Sequence, residues 1–211
     1  MGDKMKFIHI DIENWKRKNH YKHYLKDVPC TYSMTVKLDI TKIVKEKKKL
    51  YPTMLYHISK IVNCYEEFRM VLDNEGKVGY YEKMLPCYTF FHKESETFSN
   101  LWTEYTDNYE EFCKRYSEDV KNYGDNLEME GKPNTPANIF PVSMVPWESF
   151  EGFNLNLQRG YDYLLPIFTI GKYYLNGDKY YIPLAIQVHH AVCDGFHLCR
   201  FIESLRKSLG E

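Results

Sequence analysis

Apolar residues recur with the period of an amphipathic helix in four parts of the chain. Within 13–26, Trp15 and Tyr21 belong to such a series, and Pro29 is expected to end the helix. The same period predicts helices after Pro52, over 109–123 and after Gly195. The series after Pro52 is the longest and carries Met54, Leu55, Ile58, Ile61, Val62, Tyr65 and Phe68.

Strand patterns lie between these helices. Apolar and polar residues alternate over 30–40, and a further short strand is predicted over 88–92. The "DNEG" turn at 73–76 joins two short strands, and "NGD" at 176–178 predicts a hairpin between the last two long strands. The segment 124–139 is rich in Gly, Pro and Asn and is expected to be a loop.

The order of these elements predicts the fold class. Helices and strands mingle without strict alternation, and no linker divides the 211 residues. We therefore expect one domain, 1–211, of the α/β class. Its expected architecture is a two-layer sandwich in which helices cover a mixed β-sheet.

The last predicted strand ends in an unusual stretch, "IQVHHAVCDGFH" (186–197). By alternation, His190 continues the apolar face formed by Ile182, Leu184, Ile186 and Val188, whereas His189 faces the other way. Asp194 and Gly195 then break the strand before the closing helix, so that Asp194 is placed to cap that helix.

Three interpretations of this stretch compete. The plainest is a helix cap with two histidines bonded to backbone groups. A metal site of His190, Asp194 and His197 is disfavoured, because Gly195 interrupts the spacing and no further ligand cluster stands nearby. A general base is the third, since a neutral imidazole at a strand end accepts a proton near pH 7. The residues of the stretch leave the cap and the base open.

Composition narrows the class of protein. Lys and Arg number 28 against 29 Asp and Glu, which argues against a nucleic-acid surface. The six cysteines form no CxxC pair, and we identify neither a secretory segment nor a run long enough for a membrane span. We expect a cytoplasmic protein with reduced thiols and no membrane partner. Aromatic residues reach 16%, which suits a pocket or an interface as well as a core.

The motif H-H-x-x-x-D-G in "QVHHAVCDGFH" resembles that of chloramphenicol acetyltransferases. The wider CoA-dependent acyltransferase superfamily, which includes the dihydrolipoamide acyltransferases, shares the shorter motif. Other stretches resemble the narrower family in the same order over nearly the whole chain. They are "NWKRKNHY" (14–21), "VPCTYSMTVKLDIT" (28–41), "FHKESETFS" (91–99), "VSMVPW" (142–147), "GFNLNLQ" (152–158) and "PIFTIGKYY" (166–174).

The resemblance implies acetylation of the primary hydroxyl of chloramphenicol, with acetyl-CoA as co-substrate and no permanently bound cofactor or metal. It implies that His190 is the general base and that attack is direct, without an acyl-enzyme. Ser143 would stabilise the oxyanion, and Thr169 would hold a water at the tetrahedral intermediate. Asp194 would pair with Arg17 to hold the motif loop in place.

The resemblance also implies an apolar acceptor pocket lined by Tyr24, Cys30, Phe98, Phe153 and Leu155. Because His190 already supplies the base, Cys30 is expected to be a pocket wall and not a nucleophile. Trp147 and Tyr173 match positions near the CoA tunnel. A homotrimer with active sites between subunits is implied, which gives the many aromatics an interface to fill.

The chain departs from the family at one position near the site. Pro141 stands two residues before Ser143, where members often carry Asn. Two alternatives to chloramphenicol acetylation are kept. One is an acyltransferase of the same fold acting on a different hydroxyl acceptor. The other is a non-catalytic protein that binds hydrophobic drugs, which an intact His190 and Ser143 argue against.

Overall fold

The computed structural model describes residues 6–157 and 162–211, so Gln158, at the end of the "GFNLNLQ" stretch, lies outside the described residues. The helices are α1 Lys18–Lys22, α2 Thr41–Lys45, α3 Leu50–Cys64, α4 Tyr109–Tyr123 and α5 Gly195–Leu209. The strands are β1 Phe7–His9, β2 Thr31–Asp39, β3 Met70–Leu72, β4 Val78–Tyr81, β5 Leu85–His92, β6 Thr97–Trp102, β7 Ile139–Met144, β8 Ile167–Ile170, β9 Tyr174–Asn176 and β10 Lys179–His189.

Within the described ranges the strands form two sheets. The larger has the order β2-β10-β8-β7-β5-β6, and β9 pairs with the start of β10. Strand β7 runs parallel to both β5 and β8, whereas the other neighbours in this sheet are antiparallel. A small antiparallel sheet has the order β1-β4-β3. The large sheet is therefore mixed, which confirms the predicted fold class.

The helices cover one face of the large sheet. Phe168 of β8 stacks on Phe201 of α5 with ring centroids 5.5 Å apart, and Phe140 of β7 packs against Phe168. Because side chains alternate along a strand, the neighbours of these rings point to the opposite face. Thr169 directly follows Phe168, and Ser143 stands three positions after Phe140, so both lie on the face that the helices leave uncovered.

Two predicted helix starts differ from the structure. The first helix begins at Lys18 instead of residue 13, and after Lys22 it continues as a π-helical turn, His23–Asp27. The helix expected after Pro52 begins at Leu50 and contains Pro52 in its first turn. Proline is tolerated there, because the first backbone N–H groups of a helix have no partner within it.

The predicted loop is held down by a mostly buried ion pair. Lys132 donates to Asp119 Oδ1 at 2.6 Å and to the carbonyl of Trp102 at 3.0 Å. Its ammonium group also lies 3.7 Å from the centre of the Trp102 ring. The segment therefore packs along β6. In the part of the chain that the structure describes, no helix is long and apolar enough to cross a membrane.

Candidate active site

His190 lies in the turn directly after β10, not within the strand. Its backbone N–H donates to the carbonyl of Cys30 at 2.9 Å, while the backbone N–H groups of Val192 and Cys193 both turn back to His189. The prediction that His190 continues the apolar face of the strand is therefore wrong. The alternation ends at His189 because the chain turns there.

The imidazole of His190 is held between two tyrosines. The ring of Tyr24 stacks on it with centroids 3.8 Å apart and planes 4° apart. Tyr32 meets it at 63°, with centroids 5.4 Å apart. Tyr24 stands in the π-helical turn and is contacted by His23 at 4.9 Å. The stacking fixes the plane of the imidazole, which is the first requirement for a directed proton transfer.

Arg17 fastens the turn that carries His190. Its guanidinium donates to both carboxylate oxygens of Asp194, to the carbonyl of His190 at 2.8 Å and to that of Ala191 at 2.9 Å. The Arg17 side chain is only 11% exposed. Its charge and hydrogen bonds hold the pKa of Asp194 below the usual range. Within the described part of the chain, every hydrogen bond of this guanidinium therefore ends on residues 190–194.

Asp194 also caps α5 and lies close to His190. Its backbone N–H donates to Nδ1 of His197 at 3.1 Å, which is one half of a capping box. Its Oδ1 lies 3.0 Å from Nδ1 of His190, although these two atoms are not aligned as a hydrogen bond. Asp194 therefore combines the cap expected from the sequence with the pairing to Arg17.

A residue that the sequence did not single out supports this cap from behind. Oε1 of Glu67 lies 3.5 Å from Nε2 of His197 and accepts from Arg200 at 3.1 Å. Burial lowers the pKa of His197, so the neutral ring that accepts from Asp194 is favoured. Among the described residues, no group of three His, Cys, Asp or Glu is arranged to hold a metal ion.

A second group of candidate residues lies on β7 and β8. Ser143 and Thr169 are register partners, and Oγ of Ser143 donates to Oγ1 of Thr169 at 3.1 Å. Thr169 is buried, whereas Ser143 is partly exposed. Pro141 lies on the same face of β7, two residues earlier, and pairs with Cys87 of β5. The two hydroxyls are therefore held together by the parallel pairing of their strands.

Two predicted pocket residues lie beside Thr169. Phe153 and Leu155 lie over the uncovered face of the sheet and, with Thr169, line a cavity of about 10 Å³. The cavity also touches Gln187 of β10, whose Oε1 accepts from the backbone N–H of Leu155 at 3.0 Å. The bond fixes the segment that carries Leu155 against the sheet.

The remaining predicted residues are exposed aromatics. Phe98 pairs with Phe91 across β5 and β6, and the ring of Phe91 lies 4.7 Å from that of Trp147. The backbone N–H of Lys172 donates to the carbonyl of Glu148 at 2.9 Å, which joins the segment of Tyr173 to that of Trp147. Phe98, Trp147 and Tyr173 are 44%, 57% and 44% exposed, so all three are open to a ligand or a partner chain.

One chain does not bring all the predicted residues together. Ser143, Thr169 and Ala185 form a row across β7, β8 and β10, and His190 stands five residues beyond Ala185. At the rise of a strand this is about 17 Å, far beyond side-chain contact. We call residues Arg17, Tyr24, Cys30, His190 and Asp194 the histidine cluster, and residues Ser143, Phe153, Leu155 and Thr169 the serine cluster.

Comparison with known proteins identifies relatives along nearly the whole chain. The family model described as chloramphenicol acetyltransferase matches residues 5–206. A chloramphenicol acetyltransferase of Campylobacter coli is 62% identical over 98% of this chain and 100% of its own length. A solved structure of a chloramphenicol acetyltransferase has a TM-score of 0.82 at 20% identity, covering 97% of this chain and all of that one. A dihydrolipoamide acetyltransferase of Azotobacter vinelandii has a TM-score of 0.64 at 14% identity, covering 92% and 86%.

Proposed function

The chain belongs to the chloramphenicol acetyltransferase family and acetylates chloramphenicol, and we propose that His190 is the general base of this reaction. The observation that carries the proposal is the fixed imidazole, which stacks on Tyr24 while Arg17 binds its own carbonyl. Nδ1 of His190 is buried and close to the Asp194 carboxylate, which favours a proton on Nδ1. Nε2 is then the nitrogen that accepts a proton.

The co-substrate is an acyl-CoA, and we propose that it is acetyl-CoA. Nε2 of His190 takes the proton of the primary hydroxyl as its oxygen attacks the thioester carbonyl. The tetrahedral intermediate collapses with loss of the CoA thiolate, which recovers the proton from the imidazolium. Catalysis then needs no acyl-enzyme. Burial raises the pKa of the Cys193 thiol to about 12, which makes this neighbour a poor nucleophile.

Ser143 is proposed to stabilise the oxyanion of that intermediate. Its oxygen is partly exposed and is held in place by the bond to Thr169, so rotation of the hydroxyl alone redirects its hydrogen to a developing negative charge. Thr169 is proposed to orient Ser143 and to hold a water. Removing one such donor costs about 10²–10³-fold in kcat in comparable sites.

The distance between the clusters supports a site shared by two subunits. Along one chain His190 lies about 17 Å from the row that Ser143 and Thr169 share with Ala185, whereas the reaction needs His190 and Ser143 at a single thioester. We propose a homotrimer in which the histidine cluster of one subunit faces the serine cluster of the next. Rings exposed beside the serine cluster, among them Phe98 and Trp147, then become pocket or interface surface.

The pocket assignments follow from this arrangement. Tyr24 and Cys30 would form the wall of the acceptor pocket on one subunit, and Phe153, Leu155 and Phe98 the wall on the other. Trp147 and Tyr173 would flank the CoA tunnel. We further propose that residues 1–211 act as one acetyltransferase domain. The cytoplasm is the proposed compartment, since all six cysteines are free thiols.

A thiol-release assay tests the reaction and the base together. Purified protein is mixed with acetyl-CoA and chloramphenicol, and free CoA is followed over time. We expect His190→Ala to lower kcat by at least about 10²–10⁴-fold. Full turnover by that variant would refute the proposed base. Release with another alcohol but not with chloramphenicol would favour a different acceptor, and drug binding without any thiol release would favour the non-catalytic alternative.

Hybrid assemblies test the shared site. Trimers of His190→Ala chains alone or of Ser143→Ala chains alone are impaired. In mixed trimers, some sites combine the intact His190 of one chain with the intact Ser143 of its neighbour. In random trimers of an equal mixture we expect about one quarter of wild-type activity. If each chain held a complete site, the mixture would remain as slow as its parents, and the proposed arrangement would be excluded.

A further inference from the structure

Gln187 is a buried polar residue to which the roles above give no task. It lies on β10 on the same face as Ala185 and is 7% exposed. Its Nε2 is buried and has no hydrogen-bond partner among the described residues. A buried amide N–H without a partner is costly, so native proteins supply one from protein or from ordered water.

The orientation of the amide is fixed by its other end. The backbone N–H of Leu155 lies 3.0 Å from the group assigned as Oε1, and this donor requires an acceptor. The hydroxyl of Ser33 also points to Oε1, at 3.3 Å. Exchanging the oxygen and nitrogen of the amide would set two N–H donors against each other at Leu155. Nε2 is therefore the atom on the free side of the amide.

The small cavity joins Gln187 to Thr169. Both residues line it, and its volume of about 10 Å³ is close to what one water molecule requires. Because Thr169 pairs with Ala185 and Gln187 with Ile167, Thr169 and Gln187 are diagonal neighbours on one face. Such neighbours are about 7–8 Å apart at the backbone, which a long side chain and one bridging water span.

We propose that Gln187 is a positioning residue that directs the hydroxyl chain towards the oxyanion, an inference that rests on the proposed roles of Ser143 and Thr169. Nε2 donates to a single water, and that water donates to Oγ1 of Thr169. With the water donating to it, the Thr169 hydroxyl rotates and gives its own hydrogen to Ser143, which reverses the bond from Ser143 to Thr169 seen in the structure. The hydrogen of Ser143 is then free for the oxyanion.

The direction of donation is the essential point, because an amide nitrogen can only donate. A group that accepts at the same place takes one hydrogen of the water and no longer occupies its lone pair, which is then open to the hydroxyl of Thr169. Thr169 then donates to the water, and Ser143 goes on donating to Thr169, as it does in the structure. The chain of hydroxyls would then offer no hydrogen to the oxyanion.

Substitution by Glu reverses the donor and keeps the rest. Gln187→Glu retains an oxygen for the Leu155 N–H, so the pocket segment stays attached. We expect kcat to fall about 100-fold, near the loss of an oxyanion donor, with the KM for chloramphenicol changed less than about threefold. Gln187→Met is the neutral variant of similar size. It removes the donor without installing an acceptor, and we expect a smaller fall in kcat, about tenfold. It also removes the oxygen that accepts from Leu155 N–H, so a rise in the KM for chloramphenicol is expected for this variant and not for Gln187→Glu.

A matched control and a double variant separate this role from folding. Ser33→Ala removes the other contact to the amide but leaves Nε2 intact, so its kcat should match wild type. If Gln187 acts through Thr169, adding Gln187→Glu to Thr169→Val should slow the enzyme by less than about twofold more. Independent, multiplying effects would overturn the proposal. So would a KM-only effect, which would mean direct contact with the drug.

Crystallography of the wild-type assembly gives a readout that does not depend on turnover. We expect density for one water within hydrogen-bond distance of both Nε2 of Gln187 and Oγ1 of Thr169. Its absence at high resolution would overturn the inference, as would wild-type kcat in Gln187→Glu. Failure of the proposed function is recognised separately, because His190→Ala would then retain turnover in the same assay.

Discussion

Arg17 offers the sharpest test of how the chain holds its catalytic histidine. Arg17→Met leaves the Asp194 carboxylate without its cation and frees the carbonyls of His190 and Ala191. Breaking a buried pair costs about 3–5 kcal/mol. The Asp194 side chain is 30% exposed, so water replaces part of the lost interaction. We therefore expect a loss near the lower end, about 3 kcal/mol.

Two measurements follow from that magnitude. In a protein of this size, 3 kcal/mol corresponds to a fall in Tm of about 6–12 °C at fixed protein concentration. The turn that carries His190 also loses its anchor, and a displacement of about 1 Å costs roughly 10²-fold in rate. We expect kcat to fall by about that factor while the KM for acetyl-CoA stays constant, because the hydrogen bonds of Arg17 end on His190, Ala191 and Asp194 and not on the residues proposed to contact CoA.

Two further variants make the result decisive. Arg17→Lys keeps the positive charge but loses the planar set of guanidinium N–H donors. Relative to Arg17→Met, it should therefore regain more of the lost stability than of the lost kcat. Arg115→Met removes a more exposed arginine of α4, paired with Glu111, and should cost less than about 1 kcal/mol with no change in kcat. If Arg17→Met had the Tm and the kcat of the wild type, the anchoring role of Arg17 would be wrong.

Substitutions at three other places test separate parts of the structure. Burial lowers the pKa of His57 to about 4, so the native ring binds fewer protons than the unfolded one. The free energy of unfolding should therefore fall by up to about 3 kcal/mol as the pH drops from about 6.5 to 4. In urea unfolding, His57→Asn should depend less on pH than the wild type. Lys132→Met should lower the free energy of unfolding by about 3 kcal/mol in the same urea experiment, because it leaves Asp119 buried without its cation. Adding Asp119→Asn should restore most of that stability, and a double variant as unstable as Lys132→Met would contradict the ion-pair explanation. Tyr24→Leu should lower kcat by roughly fivefold, because it loses about 1 kcal/mol of ring stacking on His190. Tyr24→Phe keeps the ring and should retain wild-type kcat, so equal rates for the two variants would show that the stacking does not contribute to catalysis.

The sequence predicted helices and strands best where one face of the element is apolar and the other is exposed to solvent. Helix α4 and strand β2 have such faces, and both lie where the pattern indicates. Strand β10 is buried on both faces from Ile182 to His189, so alternation along it carries no signal of burial. The orientation of His190 was inferred from that alternation and was wrong.

Contacts between distant parts of the chain could not be predicted from local patterns. Arg17 and Asp194 are 177 positions apart, and only the resemblance joined them before the structure did. No local pattern singles out Glu67, because a glutamate in a short polar segment is normally a solvated residue. The same holds for Gln187, whose polar side chain in an alternating strand suggests a face open to water.

The π-helical turn His23–Asp27 makes Tyr24 sensitive to the length of the chain as well as to its composition. A π-turn holds one residue more than an α-turn, so removing a single residue from it would restore the regular helix. Because either turn completes one revolution, that deletion would leave the direction of the flanking chain unchanged and shift only the residues within the turn. A deletion at this point would therefore change which side chain faces the imidazole of His190 while the rest of the fold stays in place.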